Sequence, residues 1–350
     1  MRVVVTGATG NVGTSVVQAL TQDPAIEEIV GLARRRPQLD LPRTRWVRAD
    51  VTVDDLSWYF RGADCVVHLA WLIQPSRDRA TTRAVNVEGS RRVFEAAAAA
   101  GVRSLVYASS VGAYSPGPKD RRVDESWPTG GISTSFYSRD KADVERILDG
   151  FEAAHPDVRV VRLRPGLIFK SQAASGIRRL FVGPLLPSAL VRRRLIPIVP
   201  ALDRLRFQAV HSDDVADAYL RAVRGDVRGP FNVAAEPVLD PPELGRLLGA
   251  RPLPVSERAL RAAVQASWKL RLQPSPPGWL DMALGVPLMD VSRARRELGW
   301  SAARGAGDAL LELLDGMRRG DGIGTDPLAP GGDGPLRLRE LLTGIGGRSR

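Results

Sequence analysis

The sequence predicts an α/β protein built on a doubly wound parallel sheet, with a smaller region appended at its C-terminal side. Three observations carry this. Short apolar runs alternate with helical patterns over roughly the first 165 residues. A glycine-rich loop joins the first run to the first helix. After Arg164-Pro165 the alternation gives way to irregular sequence dense in proline. Strands that alternate with helices pair in parallel through right-handed crossovers, with helices on both faces and ligands beyond the carboxyl ends of the strands.

The elements follow in order. Residues 2–6, Arg-Val-Val-Val-Thr, read as a buried strand, and the loop 7–13 leads into a helix reaching about Leu20. Further strands are expected at 28–33, 46–49, 65–70, 105–109 and 158–163. Long helices are expected over 83–100, stopped by Gly101, and over 136–154, stopped by Pro156. Beyond residue 165 the pattern predicts a helix over 213–223, a short strand over 231–234, and helices near 242–248 and 257–270. The organisation expected is a sheet domain over 1–165 to which parts of the later chain return, a capping region over 166–319, and a flexible tail over 320–350.

Composition narrows the function. Of the 350 residues, 44% are hydrophobic and 25% charged, as in ordinary globular proteins. The net charge of +11 is carried almost wholly by arginine, since only Lys119, Lys141, Lys170 and Lys269 are lysines. An arginine-rich, alanine-rich composition accounts for that charge better than a nucleic-acid surface, so no nucleic-acid partner is expected. A single cysteine, Cys65, and three scattered histidines exclude an internal disulfide and argue against a metal site. With no apolar run long enough to span a bilayer and no leader pattern, a cytoplasmic location is the expectation.

Three motifs carry chemistry. In Thr6-Gly7-Ala8-Thr9-Gly10-Asn11-Val12-Gly13 the glycines allow a tight turn and close approach of the backbone to phosphate. The helix that follows offers free N–H groups and a positive dipole end to a pyrophosphate. Tyr137 and Lys141 lie four residues apart on one helix face, where an ammonium favours the tyrosinate and lowers the tyrosine pKa. Such a tyrosine can exchange the proton that accompanies hydride transfer at a carbinol or carbonyl carbon. Ser109-Ser110 ends the fifth strand, and a hydroxyl there can hydrogen-bond a substrate oxygen.

Together these motifs resemble the short-chain dehydrogenase/reductase superfamily, in its extended, NAD-dependent epimerase/dehydratase-like branch. His68-Leu69-Ala70, Asn86-Val87-Glu88-Gly89, Arg164-Pro165-Gly166, His211-Ser212-Asp213-Asp214-Val215-Ala216 and Arg296-Glu297-Leu298-Gly299-Trp300 add to the likeness, which runs to about Trp300. The resemblance implies a Rossmann-type sheet with a smaller C-terminal substrate domain. It implies Tyr137 as acid/base, Lys141 as the holder of the nicotinamide ribose, Ser110 rather than Ser109 as the catalytic hydroxyl, and Asn86 as a supporting residue. The implied dinucleotide contacts are Gly7, Thr9, Gly10, Asn11, Val12, Gly13, Asp50, Val51, Leu69, Ala70, Tyr137, Lys141, Arg164 and Pro165. Members of the family commonly form homodimers through the two helices that flank the active site.

NAD binding usually places an acid at the end of the second strand, against the ribose 2′-hydroxyl. The sequence there is Ala33-Arg34-Arg35-Arg36. Arg34 and Arg35 suit a 2′-phosphate instead, so NADP is expected, with NAD as the alternative. The expected reaction is hydride transfer at a secondary alcohol or ketone of a small-molecule substrate. A nucleotide-sugar epimerase, which leaves the cofactor unchanged overall, is one alternative, and a catalytically silent dinucleotide-binding sensor or structural subunit is another. Residues 180–199 mix apolar runs with Arg192-Arg193-Arg194 and read as packing of the second region, with contact to an anionic membrane surface the less favoured reading.

Overall fold

In a computed structural model, which describes residues 1–74, 76–178 and 197–329, seven strands form one parallel sheet. They are β1 (Arg2–Thr6), β2 (Glu28–Ala33), β3 (Thr44–Arg48), β4 (Cys65–His68), β5 (Ser104–Ala108), β6 (Arg159–Pro165) and β7 (Gly229–Val233). Their order across the sheet is β7-β6-β5-β4-β1-β2-β3. The order reverses beside β1, which pairs with β2 on one side and β4 on the other. That reversal opens the crevice in which doubly wound sheets bind ligands.

The main helices are α1 (Asn11–Gln22), α2 (Gly89–Ala99), α3 (Phe136–Ala154), α4 (Ser212–Arg224), α5 (Gly278–Gly285) and α6 (Ala306–Arg319). Val16, Val17 and Leu20 give α1 a buried stripe, and it ends at Asp23-Pro24. Ser135 caps α3 through a hydrogen bond from Ser138 N, and His155-Pro156 ends it. In α4 the acids Asp213 and Asp214 lie in the first turn and Arg221 and Arg224 in the last, each complementing the helix dipole. Val3, Val4 and Val5 are fully buried because helices cover both faces of β1. One core layer holds α1 and α4 against the sheet, and the other holds α2 and α3.

The expected helix over 83–100 is built differently. An α-helical turn over Arg79–Arg83 passes into a π-helical turn over Ala84–Glu88 and then into α2. Such single π turns cluster at functional sites. The later chain returns to the sheet domain through α4 and the edge strand β7, while Trp300 is buried and donates from Nε1 to Asp214 O at 2.8 Å.

Residues 320–329 differ from the flexible tail expected. Thr325 and Leu328 are buried, Gln38 N donates to Gly324 O at 2.9 Å, and Ser175 Oγ donates to Asp321 O at 2.9 Å. Glycine and proline there shape a packed turn that local composition alone does not distinguish from a loose one. The rest of the expected tail, 330–350, and most of the 180–199 segment with its three arginines lie outside the described residues. Among the described residues, no helix is long and apolar enough to cross a membrane.

Candidate active site

The glycine loop forms a cradle that only glycine fits at positions 7 and 13. Gly7 has φ +69°, and a Cβ there would stand 2.6 Å from Ala70 N. A Cβ at Gly13 would overlap the Gly7 carbonyl oxygen and lie 2.7 Å from Ala8 C. Both contacts are with backbone, so nothing can rotate away. Gly10 caps α1 without any side-chain bond, which leaves the first-turn amides open to an anion. Asn11 donates from Nδ2 to Ile168 O at 3.1 Å, but its buried Oδ1 has no partner among the described residues. Thr9 is buried and Val12 half-buried at the same turn. Leu69 and Ala70 form the facing wall, fixed by Leu69 N donating to Thr6 O at 3.1 Å. A tight glycine turn, uncapped amides and an orphaned polar oxygen fit the pyrophosphate of a dinucleotide.

Beyond the neighbouring strand β2, Arg34 is exposed and Arg35 Nη1 lies 2.6 Å from Asp326 Oδ2. Asp50, past the end of β3, accepts from Thr52 N at 2.9 Å and Thr52 Oγ1 at 2.6 Å, an Asx turn that positions it at the crevice rim. Val51 is buried under Gly89, where a Cβ would stand 2.8 Å from Val51 Cγ2.

Ser110, Tyr137 and Lys141 come together where β5 ends. Ser110 Oγ accepts from Gly112 N at 3.0 Å, which closes a turn over Val111–Ala113, and the Tyr137 ring packs against that turn, 2.9 Å from where a Cβ on Gly112 would stand. The adjacent Ser109 faces the other way and donates to Glu145 Oε1. Lys141 is buried and donates to Ala108 O at 2.5 Å, with its ammonium 3.5 Å from the centroid of the Trp71 ring and 5.9 Å from that of Tyr137.

The expected lowering of the Tyr137 pKa is not what this geometry yields. Burial pushes the Tyr137 hydroxyl up, and the nearby Ser110 hydroxyl offsets this only in part. Lys141 is aimed at Trp71 and the Ala108 carbonyl, so its charge does not dominate at the phenol. Burial also pushes Lys141 well below the ordinary lysine range, against the pull of Glu145 and Asp140.

Arg164 also departs from its expected place. Its guanidinium turns into the core, with Nε 2.8 Å from Glu145 Oε1 and Nη2 3.0 Å from Glu145 Oε2, and it donates to Tyr114 Oη at 3.0 Å. A buried carboxylate on α3 recruits it more strongly than a solvent-facing ligand site does. Pro165 is buried in β6, in register with Val233. Asn86, in the π turn, clamps the strand-four loop: Nδ2 donates to Leu72 O at 2.9 Å and Oδ1 accepts from Leu72 N at 2.7 Å. His68 is a core residue held between Thr6 Oγ1 and Ser90 Oγ, and burial lowers its pKa to about 3.

Trp71, Trp279 and Met282 were not legible as site residues. The Trp71 ring meets Tyr137 edge-on at 5.8 Å between centroids, and Trp279 lies at 4.9 Å on a 35° tilt. Met282 packs in the same apolar cluster with Ile132 and Val286. Trp71 follows the His68-Leu69-Ala70 motif directly, which was the one local signal, whereas Trp279 comes from α5, far along the chain.

Comparisons with known proteins agree with this architecture. The NAD dependent epimerase/dehydratase family matches residues 3–234. UDP-glucose 4-epimerase of Mycolicibacterium smegmatis is 27% identical over 339 residues, covering 91% of this chain and 99% of that one. L-arabinose 1-dehydrogenase (NAD(P)(+)) of Haloferax volcanii is 41% identical over 110 residues, which is 31% of this chain and 41% of that enzyme. Thus the chain spans less than half the length of that dehydrogenase. The crystal structure of UDP-glucuronic acid 4-epimerase from Bacillus cereus with UDP-glucuronic acid and NAD superposes with a TM-score of 0.65 at 19% identity, covering 91% of this chain and 99% of that one, and shares the fold. The crevice at the reversal of strand order, the glycine cradle beside it and a family match that spans about two thirds of the sequence lead to one conclusion: the chain belongs to the NAD dependent epimerase/dehydratase family.

Proposed function

We propose that this protein is an NAD(P)-dependent enzyme that transfers hydride at a secondary alcohol or ketone carbon, with Ser110, Tyr137 and Lys141 as its catalytic residues. The observation that carries this is the convergence of Ser110 and Tyr137, whose ring packs against the Ser110–Ala113 turn, with Lys141 one helical turn away, at the carboxyl end of β5. A bound nicotinamide supplies the hydride acceptor or donor. Ser110 Oγ hydrogen-bonds the substrate oxygen. Tyr137 takes the hydroxyl proton on oxidation and returns it on reduction, and Lys141 supplies positive charge near it. Trp71, Trp279 and Met282 keep water from Tyr137 and present an apolar wall to the substrate. That wall supports a net oxidoreduction of an apolar ketone or alcohol.

The dinucleotide contacts of this reading are Gly7, Thr9, Gly10, Asn11, Val12 and Gly13 at the pyrophosphate, and Asp50, Val51, Leu69 and Ala70 along the crevice. NADP is the preferred cofactor. Arg34 and Arg35 follow β2, and the acid that would hold a ribose 2′-hydroxyl is missing from the end of that strand. Equal affinities for NAD and NADP would remove this preference.

A second reading, a nucleotide-sugar epimerase, is favoured by the alignment over almost the full length of the M. smegmatis UDP-glucose 4-epimerase. A ketone and alcohol screen that follows NADPH absorbance, run beside product analysis on nucleotide sugars, separates the two. Absorbance change supports the oxidoreductase, and sugar inversion without it supports the epimerase. Tyr137→Phe should abolish whichever turnover is found and leave dinucleotide binding intact; surviving turnover removes Tyr137 as the acid/base.

A further inference from the structure

A late segment of the chain, residues 321–329, reaches the loop after β2. After α6 closes at Gly320 with φ +71°, residues 321–329 run back across the molecule as a strap. The strap is fastened at two places. On one side, Ser175 N and Oγ both donate to Asp321 O, at 3.4 and 2.9 Å, and the open face of Gly176 lies against Pro327 O. On the other, Gln38 N donates to Gly324 O at 2.9 Å, and a Cβ on Gly324 would stand 3.0 Å from Gln38 O. Burial of Thr325 and Leu328 between them fixes its path.

This path delivers one carboxylate to the loop after β2. Asp326 Oδ2 lies 2.6 Å from Arg35 Nη1, across 291 positions of sequence. The loop stands one strand from the glycine cradle, because β1 and β2 pair in register up to Thr6 and Leu32, and Ala8 N donates to Leu32 O at 3.3 Å. Position 35 is therefore where the adenosine ribose of a dinucleotide on that cradle meets the chain. The acid missing from the end of β2 is replaced in space by one from the far end of the sequence.

We propose that Asp326 is a cofactor-selectivity residue, which holds Arg35 and weighs against a 2′-phosphate beside it. The inference rests on the reading that Arg35 faces the 2′ end of the dinucleotide. To bind NADP, Arg35 must exchange the Asp326 carboxylate for the 2′-phosphate, and two anions then share one guanidinium. NAD brings no second anion and leaves the pair intact. The strap also ties this choice to the Ala174–Ile177 helix at the entry to the second region, since one short segment holds both.

The test is calorimetric binding of NADP, NAD, 2′-AMP and AMP to the full chain and to Asp326→Asn. A carboxylate a few ångströms from a doubly charged phosphate in water gives an expected gain of about tenfold in affinity for NADP and 2′-AMP in the variant. NAD and AMP should change by less than about twofold, and the gain should shrink in high salt. Adding Arg35→Ala to the variant should abolish the gain. The melting temperature should hold, because both partners of the pair are nearly half exposed. Unchanged NADP and 2′-AMP affinities, or an equal gain for all four ligands, overturn the proposal. If the unaltered protein prefers NAD but Asp326→Asn shows the selective gain, the NADP preference fails and the role of Asp326 stands. If the unaltered protein prefers NADP and the variant shows no gain, the preference stands and the role of Asp326 fails.

Discussion

The Lys141 ammonium rests 3.5 Å from the centroid of the Trp71 indole, in a place where water is almost excluded. Burial drives the lysine toward its neutral form, and the ring face opposes that by giving the charge a polarisable partner. In the proposed mechanism Trp71 is therefore a positioning residue that acts through Lys141, as well as a wall beside Tyr137.

Replacing Trp71 by Leu should lower kcat by about 3- to 30-fold, the range a desolvated cation–π contact supports. The sign of its pH effect follows from the charge. Loss of the π face lowers the Lys141 pKa further, so protonated lysine disappears at a lower pH and the alkaline limb of the rate profile moves down. A pH–rate profile that keeps its alkaline limb in place removes Trp71 from this role.

Ser109 and Ser110 are neighbours in sequence with different partners. Ser110→Ala should cost about 10²- to 10³-fold in kcat, because it deletes the hydroxyl beside Tyr137 and the substrate oxygen. Ser109→Ala should act on stability, by about 1–2 kcal/mol, through the lost hydrogen bond to buried Glu145. Parallel kinetics and urea unfolding check the division; a larger kinetic loss for Ser109→Ala reverses the assignment.

Glu145 anchors the layer beneath the site. Its carboxylate is fully buried and takes Arg164 at 2.8 Å and Arg162 at 2.9 Å. Burial alone would raise its pKa, but the Arg164 hydrogen bonds and the charges of Arg164 and Arg162 outweigh it and hold the carboxyl at about 2. Glu145→Ala should destabilise the protein by about 3–5 kcal/mol, since it leaves the buried Arg164 guanidinium without a carboxylate, whereas Arg162 keeps Asp149 and Glu152. A carboxyl with a depressed folded pKa stabilises fully above its unfolded value and loses that stability as pH falls. The gap in unfolding free energy between the protein and Glu145→Gln should thus be constant above pH ~4.5 and shrink toward pH ~2. A gap independent of pH across that range contradicts the assignment.

What was legible in the sequence was local. The glycine loop and the Tyr137–Lys141 pair each lie within a single turn or helix, so spacing alone sets which face they share. The sheet was legible because alternating apolar runs and helices have few topologies open to them. The missed features are contacts across the chain. Arg164 read as a ligand residue because its motif ends a strand at the crevice, and only the fold reveals Glu145 behind it. Trp279 and Asp326 reach the site from elements with irregular surroundings. The direction of the Tyr137 shift also depends on three-dimensional burial, which a spacing of four residues does not encode.

The glycine cradle allows two effects to be told apart. A methyl group at Gly13 meets backbone of Gly7 and Ala8 at distances no relaxation of a side chain can relieve. Gly13→Ala should therefore lower stability by about 1–3 kcal/mol and weaken dinucleotide binding together. At Gly10 the nearest atom to an added Cβ is Gly7 O at 3.4 Å, and φ is −79°, so alanine fits the fold. The same methyl points to where backbone must approach the pyrophosphate. Gly10→Ala should keep its melting temperature within a few degrees and still lose about tenfold or more in NADP affinity. Thermal melts read beside calorimetric titrations resolve the pair, and a Gly10→Ala protein that binds the dinucleotide normally would move the pyrophosphate away from this turn.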